Sequence, residues 1–478
     1  MQLNKKVSTD ILVNAGVAAA IQLRGLIFIP VIAGTLGVAA FGAYSQVLAV
    51  MTFLDLIVSL GLFTALVRYG QESGQDIADL YYSLVLLAMG SGAVATSLVI
   101  VFAPELSRYT LGTLKYANVY RVGSVLILTR IFLRMARDYF RIDSRIKTFS
   151  MIEGINAYGL IIGVAIALFV FDAGLIGIIY SMVLVESVTA VSTQFKIGRE
   201  IGYAAPSFDR IVEYLRYSLP LTGSMIAGNA SSRVDRVLIG AFLGASAVGV
   251  YSIAYQIATA ISMYKKPILS TFFPEFSRLI ELDQYEECSH YVEQGTRYFS
   301  LIALPTVGGM FLIGPQVITA MTGSEAATPS GLLLATIALG IVVYGFDQMY
   351  ALILRANKQT VRVTGIRGVG AIGNVLLNLA LIPTFGVFGA AIATLGTYAL
   401  TALLAYYSAN AVVDAKFATL TSLRTVVSTI FMIVLARTYL PDSVAILVVS
   451  GVIIYFLAIV LMGEVSIAEV RRVVESFT

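Results

Sequence analysis

Four arginines follow at steps of 4, 3 and 4 residues: Arg130, Arg134, Arg137 and Arg141. On an α-helix that spacing places them on one face. The run that carries them is otherwise apolar, so the stripe extends from mid-membrane to one end of a spanning helix. Charge inside such a helix is costly, and its default reading is functional. Arg137 and Arg141 stand close enough to the end to snorkel, whereas Arg130 and Arg134 lie deeper. Asp138, four residues after Arg134, can neutralise part of the row. Further embedded charges are Arg24, Asp55, Glu186, the triplet in Arg233-Val-Asp235-Arg236, and Asp347. A guanidinium presents a planar fork that suits phosphate and pyrophosphate. Embedded arginines (Arg24, Arg130, Arg134, Arg233 and Arg236) outnumber the embedded acids by five to four, which favours an anionic amphiphile as cargo. Arg24 and Asp55 fall at similar depth, and both an ion pair between them and a ligand-facing role fit that placement. Asp55, Asp235 and Asp347 are candidates for charge pairing or for binding a coupling ion, H+ or Na+.

Other chemistries lack their residues. One cysteine, Cys288, and one histidine, His290 in a polar stretch, exclude a disulfide framework and a His- or Cys-based metal site. The chain has no Gly-Lys-Ser/Thr phosphate loop, so it carries no ATPase of its own. Segments assigned to the outer side are short, with no room for an outer catalytic domain. A voltage sensor would repeat its arginines every third residue. The expectation is a transporter with no enzymatic activity and no cofactor, and with no nucleic-acid partner.

The elements that position these charges are transmembrane helices. Hydrophobic residues make up 58% of the chain, charged residues 13%, and the mean hydropathy is +0.86; a soluble domain carries about 25% charged residues. Fourteen apolar runs of spanning length can be laid out, near 9–35, 42–68, 79–103, 118–138, 150–171, 173–195, 214–241, 246–272, 296–320, 330–355, 365–384, 388–410, 419–438 and 443–462. With the N-terminus in the cytoplasm, 23 of the 32 lysines and arginines fall in cytoplasmic segments and four in outer ones. The positive-inside rule thus orients a multi-pass cell-membrane protein with both termini cytoplasmic. The acidic stretch 275–295 reads as a solvated amphipathic connector, and the tail from Glu464 to Thr478 as a short amphipathic segment at the interface.

The runs repeat. Leu36-Gly37-Val-Ala-Ala40-Phe-Gly42-Ala-Tyr44-Ser45 matches Leu243-Gly244-Ala-Ser-Ala247-Val-Gly249-Val-Tyr251-Ser252, six identities in ten at an offset of 207. Arg141, Gly154 and Gly159 align with Arg355, Gly368 and Gly373 at an offset of 214, and the turn at Asp172-Ala-Gly174 has its counterpart at Gly386. The fold expected is an all-α polytopic membrane protein of 14 transmembrane helices. Two six-helix lobes form a parallel pseudo-two-fold repeat, followed by two C-terminal helices. The divisions are 1–196 for the first lobe, 197–213 for a cytoplasmic linker, 214–412 for the second lobe, and 413–478 for the last two helices and tail. In this alignment Tyr344 and Gln348 replace Arg130 and Arg134, so the first half is the more cationic wall.

These features resemble the polysaccharide-transporter branch of the multidrug/oligosaccharidyl-lipid/polysaccharide exporter superfamily, the O-antigen-type flippases. The resemblance rests on Arg233-x-Asp235-x-x-x-Ile239-Gly240, Leu243-Gly244-x-x-x-x-Gly249-x-Tyr251, the matching turn from Leu36 to Tyr44, and Asn378-x-x-Leu-Ile382-Pro383-x-x-Gly386-x-x-Gly389. It covers essentially the whole chain. It implies a flippase that moves a polyprenyl-phosphate- or pyrophosphate-linked oligosaccharide from the cytoplasmic to the outer leaflet, for cell-surface glycan biosynthesis, by alternating access through a cationic cavity. It also implies substrate-binding roles for Arg24, Arg130, Arg134, Arg233 and Arg236. The partners expected are the lipid-linked oligosaccharide, membrane lipids, and the glycan polymerase or glycosyltransferase machinery, with the chain itself a monomer. The alternative is a cation-coupled multidrug or metabolite antiporter of the MATE type, whose members usually have 12 spans.

Overall fold

The computed structural model describes residues 21, 23–70, 77–142, 145–207, 210–230, 233–325, 328–441 and 443–465. Lys5, Lys6, Gln22 and nearly all of the C-terminal tail lie outside them. The described residues are helical, with no strand among them. The first helix, α1, is Leu23–Leu36. Pro30 has no N–H to offer within it, and the helix widens there to a π turn over Ile29–Ala33. Then follow α2 (Val38–Val58), α3 (Leu62–Tyr69), α4 (Ile77–Val101), α5 (Ala103–Leu111), α6 (Ala117–Gly123), α7 (Val125–Ile142), α8 (Ile146–Phe169), α9 (Gly174–Ile201) and α10 (Ile211–Ala230). The remaining helices are α11 (Val234–Ala258), α12 (Ser262–Glu281), α13 (Tyr285–Thr322), α14 (Gly331–Ala356), α15 (Thr360–Asn410), α16 (Thr419–Tyr439) and α17 (Val444–Leu461). Ten helices are long and apolar enough to cross a membrane among the described residues. The protein is therefore a multi-pass integral membrane protein.

Several expected spans are divided differently. The run 42–68 breaks into α2 and α3 at Leu60 and Gly61, whose φ angles are 49° and 64°. The run 214–241 is not one helix: Arg233 stands in a turn, and Asp235 and Arg236 open a new helix instead of closing an old one. Asp235 in the first turn of α11 favours that start, because the helix dipole is positive there. The acidic connector is helical on both sides of a turn at 282–284. It buries Phe276, Leu279, Cys288 and Val292 and exposes Glu281, Asp283, Glu286 and Glu287, the amphipathic arrangement expected.

The repeated turn has one conformation in both copies. Gly37 has φ 85° and ψ 167°, and Gly244 has φ 81° and ψ −178°, a backbone state open to glycine alone without strain. Both copies pack against each other reciprocally. A Cβ on Gly42 would lie 1.9 Å from the carbonyl oxygen of Ala245, and one on Gly249 would lie 2.2 Å from that of Val38. At the offset of 207, Gly42 corresponds to Gly249 and Val38 to Ala245, so this is a self-complementary contact of two-fold type. The second repeated turn has a positive φ at corresponding positions, 44° at Asp172 and 61° at Gly386, but the second positive φ of the first copy, 57° at Gly174, has no counterpart at Phe388. Gly386 bends the 51-residue α15 into two segments.

The chain divides into two compact units, Met1–Ser252 and Ile253–Thr478. In the first, α7 packs against α4 and α9, and α9 against α8, around buried Leu80, Tyr81, Tyr120, Leu126 and Ile127. In the second, α14 lies innermost, against α12, α13 and α15, with 72% of its apolar window buried. The last helix, α17, buries only 22% of its own and leaves the rest to lipid.

Candidate functional site

The arginine stripe is the chemical centre of the first unit. The apolar side of α7 (Leu126, Ile127, Ile131, Leu133, Met135 and Phe140) is buried, which turns the arginine face toward α2, α8 and α9. Each arginine of the stripe meets a carboxylate there. Arg130 reaches Glu186 of α9 at 3.4 Å and donates to the Thr52 hydroxyl of α2 at 3.1 Å. Glu186 also accepts from Thr129 at 2.9 Å. Arg134 bonds Asp55 of α2 at 2.6 Å and lies over the Phe63 ring. Arg137 pairs with Glu153 of α8, and Arg141 with Asp138 one turn back at 3.3 Å. Arg145 continues the pattern with Glu200 at 2.6 Å.

One sequence expectation changes here. Asp55 is the partner of Arg134, not of Arg24, because α7 packs beside α2 and holds that guanidinium against the carboxylate. Asp138 neutralises part of the row as expected, through Arg141. Asp55 is 1% exposed, and its second oxygen has no hydrogen-bond partner among the described residues. Arg24 stands on α1, and it is not among the residues lining the cavity that opens here.

A cavity of about 390 Å³ opens on this face. Arg134, Arg137, Arg141 and Arg233 line it with Asp138 and Glu153. The structure thus gathers Arg134 and Arg233 from distant parts of the sequence around one space, and leaves Arg130 off its lining. Asp235, fully buried, accepts from the Tyr251 hydroxyl at 2.7 Å and from the Arg236 backbone N–H. At the offset of 207 its counterpart is Phe28, whose ring packs edge-on to Tyr44, the counterpart of Tyr251. The repeat is kept in shape while one copy exchanges a ring contact for a hydrogen bond.

The second unit holds its own charged cluster on α14. Asp347, fully buried, pairs with Arg367 of α15 at 2.5 Å and accepts from Gln348. The Tyr344 ring stacks on Tyr398 at 4.6 Å and carries Lys265 at 4.5 Å and the Arg367 guanidinium at 5.2 Å. Sequence reasoning passed over Glu153, Lys265 and Arg367. Each sits near a predicted helix end, where a charge needs no special explanation. Among the described residues no group of His, Cys, Asp and Glu is placed to hold a metal ion.

The family described as "Polysaccharide biosynthesis protein" matches residues 7–280, more than half of the sequence. The chain belongs to that family. The MatE family matches residues 220–380 as well, which places the family within the multidrug/oligosaccharidyl-lipid/polysaccharide exporter superfamily that the motifs resembled. The probable flippase AglR of Haloferax volcanii is 23% identical over 374 residues, covering 77% of this chain and 76% of that protein. The succinoglycan biosynthesis transport protein ExoT of Rhizobium meliloti is 25% identical over 366 residues, covering 73% and 71%. The fold matches a solved structure of the lipid II flippase MurJ in an inward closed conformation, with a TM-score of 0.77, 15% identity, and coverage of 95% of this chain and 98% of that one. Of these relatives, AglR is named as a probable flippase and ExoT as a transport protein.

Proposed function

We propose that this protein is a flippase for a polyprenyl-phosphate- or pyrophosphate-linked oligosaccharide, moving it to the outer leaflet for surface-glycan biosynthesis. The observation that carries the reading is the cavity on α7, where four arginines meet two lining carboxylates inside an otherwise apolar helix bundle. A phosphate or pyrophosphate entering it would meet guanidinium forks already held in place by Asp55, Glu153 and Asp138. Those carboxylates keep the empty site from carrying uncompensated buried charge. The names of AglR, a probable flippase, and ExoT, a succinoglycan biosynthesis transport protein, support a flippase for glycan biosynthesis. Arg24, Arg130, Arg134, Arg233 and Arg236 are the proposed cargo contacts, and Asp55, Asp235 and Asp347 the proposed pairing or coupling groups.

The full architecture proposed is 14 spans. It counts the ten long apolar helices, α15 twice across Gly386, and adds α1, α7 and α10. The lobes at 1–196 and 214–412, the linker at 197–213, the pair at 413–478, both termini in the cytoplasm and a monomeric state belong to the same reading. Alternating access is proposed to work by parting the reciprocal contact at Gly42 and Gly249. The MatE match keeps a cation-coupled multidrug or metabolite antiporter as the competing reading.

The test is translocation in proteoliposomes of a short glycan on polyprenyl pyrophosphate, read by access of an external glycosidase. Flipping by the wild type, lost in Arg233→Ala while the variant stays folded, is the expected result. Failure to flip any polyprenyl-linked glycan, with uptake of an organic cation driven by an H+ or Na+ gradient, would move the chain to the antiporter reading.

A further inference from the structure

The helix α13 contains two prolines, Pro305 and Pro315, yet runs unbroken from Tyr285 to Thr322. A proline inside a helix removes the N–H that should bond the carbonyl four residues earlier. For Pro305 that carbonyl belongs to Leu301. In a bilayer an unsatisfied backbone group has no water to turn to and costs several kcal/mol. The Leu301 carbonyl is satisfied from outside its own helix: the Tyr455 hydroxyl of α17 donates to it at 2.7 Å.

The same two C-terminal helices hold α13 on both sides of this break. On the side of its N-terminus, Ser300 and Ser422 share a hydroxyl hydrogen bond of 2.9 Å, and the Thr296 hydroxyl accepts from the Ala418 N–H. Glu464, just past α17, accepts from Arg297 of α13 and Arg424 of α16 at 3.0 Å each, and from Thr421 at 2.5 Å. On the other side, Gly308 admits α16 so closely that a Cβ there would lie 2.5 Å from Thr429 and 2.9 Å from Met432. At the break itself an apolar cavity of about 440 Å³, lined by Leu301, Pro305, Gly309, Met432, Gly451 and Tyr455, leaves room for the helix to bend. The counterpart in the first half, α4, contains no proline.

We propose that α16 and α17 are a splint on α13, with Tyr455 as the pin that replaces the hydrogen bond lost at Pro305. The pair outside the six-plus-six repeat then has a conformational role: it sets whether α13 is straight or bent at Pro305. This device stands apart from the cargo site, and its test needs no cargo.

The test is hydrogen exchange, read by mass spectrometry on the full-length protein in micelles, over the segment 301–309. Tyr455→Phe keeps the ring and removes only the hydroxyl. It should raise exchange there by about ten-fold, the size of one lost hydrogen bond, and leave α14 unchanged. Pro305→Ala returns an N–H to Leu301, so Tyr455→Phe placed in that background should change exchange less than two-fold. Unchanged exchange in Tyr455→Phe alone would overturn the proposal. So would a double variant as loose as Tyr455→Phe, because the hydroxyl would then act elsewhere than at the proline gap.

Discussion

At the offset of 214 the helices α7 and α14 are counterparts, and their ion pairs to neighbouring helices are built with opposite polarity. On α7 the cations belong to the helix and three of their four acids come from its neighbours, Asp55 from α2, Glu153 from α8 and Glu186 from α9, while Asp138 is its own. On α14 the acid, Asp347, belongs to the helix, and the cation, Arg367, comes from α15. Where α7 has Arg130 and Arg134, α14 has Tyr344 and Gln348. At the offset of 214 Arg367 falls on Glu153, with the sign inverted, whereas Asp347 falls on Leu133, so the two helices place their own charge of the pair at different positions. The contrast separates two uses of a buried cation. In the α7 cluster Arg134 is 26% exposed and lines a cavity, whereas in the α14 cluster Arg367 is 14% exposed and covered by a tyrosine.

The largest effect should come from breaking one pair on α7. Arg134→Ala leaves Asp55 buried without its partner, and removing one member of a buried ion pair costs about 3–5 kcal/mol. The single variant should therefore melt well below wild type and lose flipping for a structural reason. Arg134→Ala with Asp55→Asn removes both charges together. It should recover most of the thermal stability and still fail to flip. Thermal melts beside the proteoliposome assay check this, and recovery of flipping in the double variant would count against Arg134 as a cargo contact.

A smaller effect is expected on α14. Tyr344→Leu removes the ring beneath Lys265 and Arg367 and the stack on Tyr398. The loss should be about 1–2 kcal/mol, the size of a partly desolvated cation–π contact, and it should lower the melting temperature while flipping persists. Loss of flipping in a folded Tyr344→Leu would put the second half in the cargo path and weaken the contrast with α7.

Much of this was legible in the sequence. The spacing of Arg130, Arg134, Arg137 and Arg141 defined the charged face, and the offset of 207 located two glycines that do share one backbone conformation. What stayed hidden was partnership. Depth along a helix suggested Arg24 for Asp55, but depth says nothing about which helices are neighbours, and α7 supplied Arg134 instead. Glu153 and Arg367 were invisible for a related reason: a charge near a helix end looks solvated until packing covers it. The helix start at Val234 was also missed. An apolar run can continue through a change of helix, since hydropathy does not register backbone direction.

The smallest effect concerns Glu464, the charged anchor of the C-terminal pair, and it extends the same contrast to a carboxylate that answers to pH. Burial raises the pKa of this group, but hydrogen bonds from Thr421, Arg424 and Arg297 outweigh it and hold the carboxyl below its ordinary value. A carboxylate with a lowered folded-state pKa adds stability that is full above its ordinary pKa and is lost as pH falls through the lowered one. Wild type should exceed Glu464→Gln by about 2 kcal/mol at neutral pH, the range for hydrogen bonds to a charged group. On acidification below about pH 4.5 the difference should shrink, because the wild-type carboxyl becomes protonated and the glutamine does not titrate. Thermal melts of both proteins from pH 7 to pH 3 measure it. A gap that stays constant to pH 3 would mean that shape, not charge, holds Glu464 between α13 and α16, and the anchor would then belong with Gly308 and not with the ion pairs of α7.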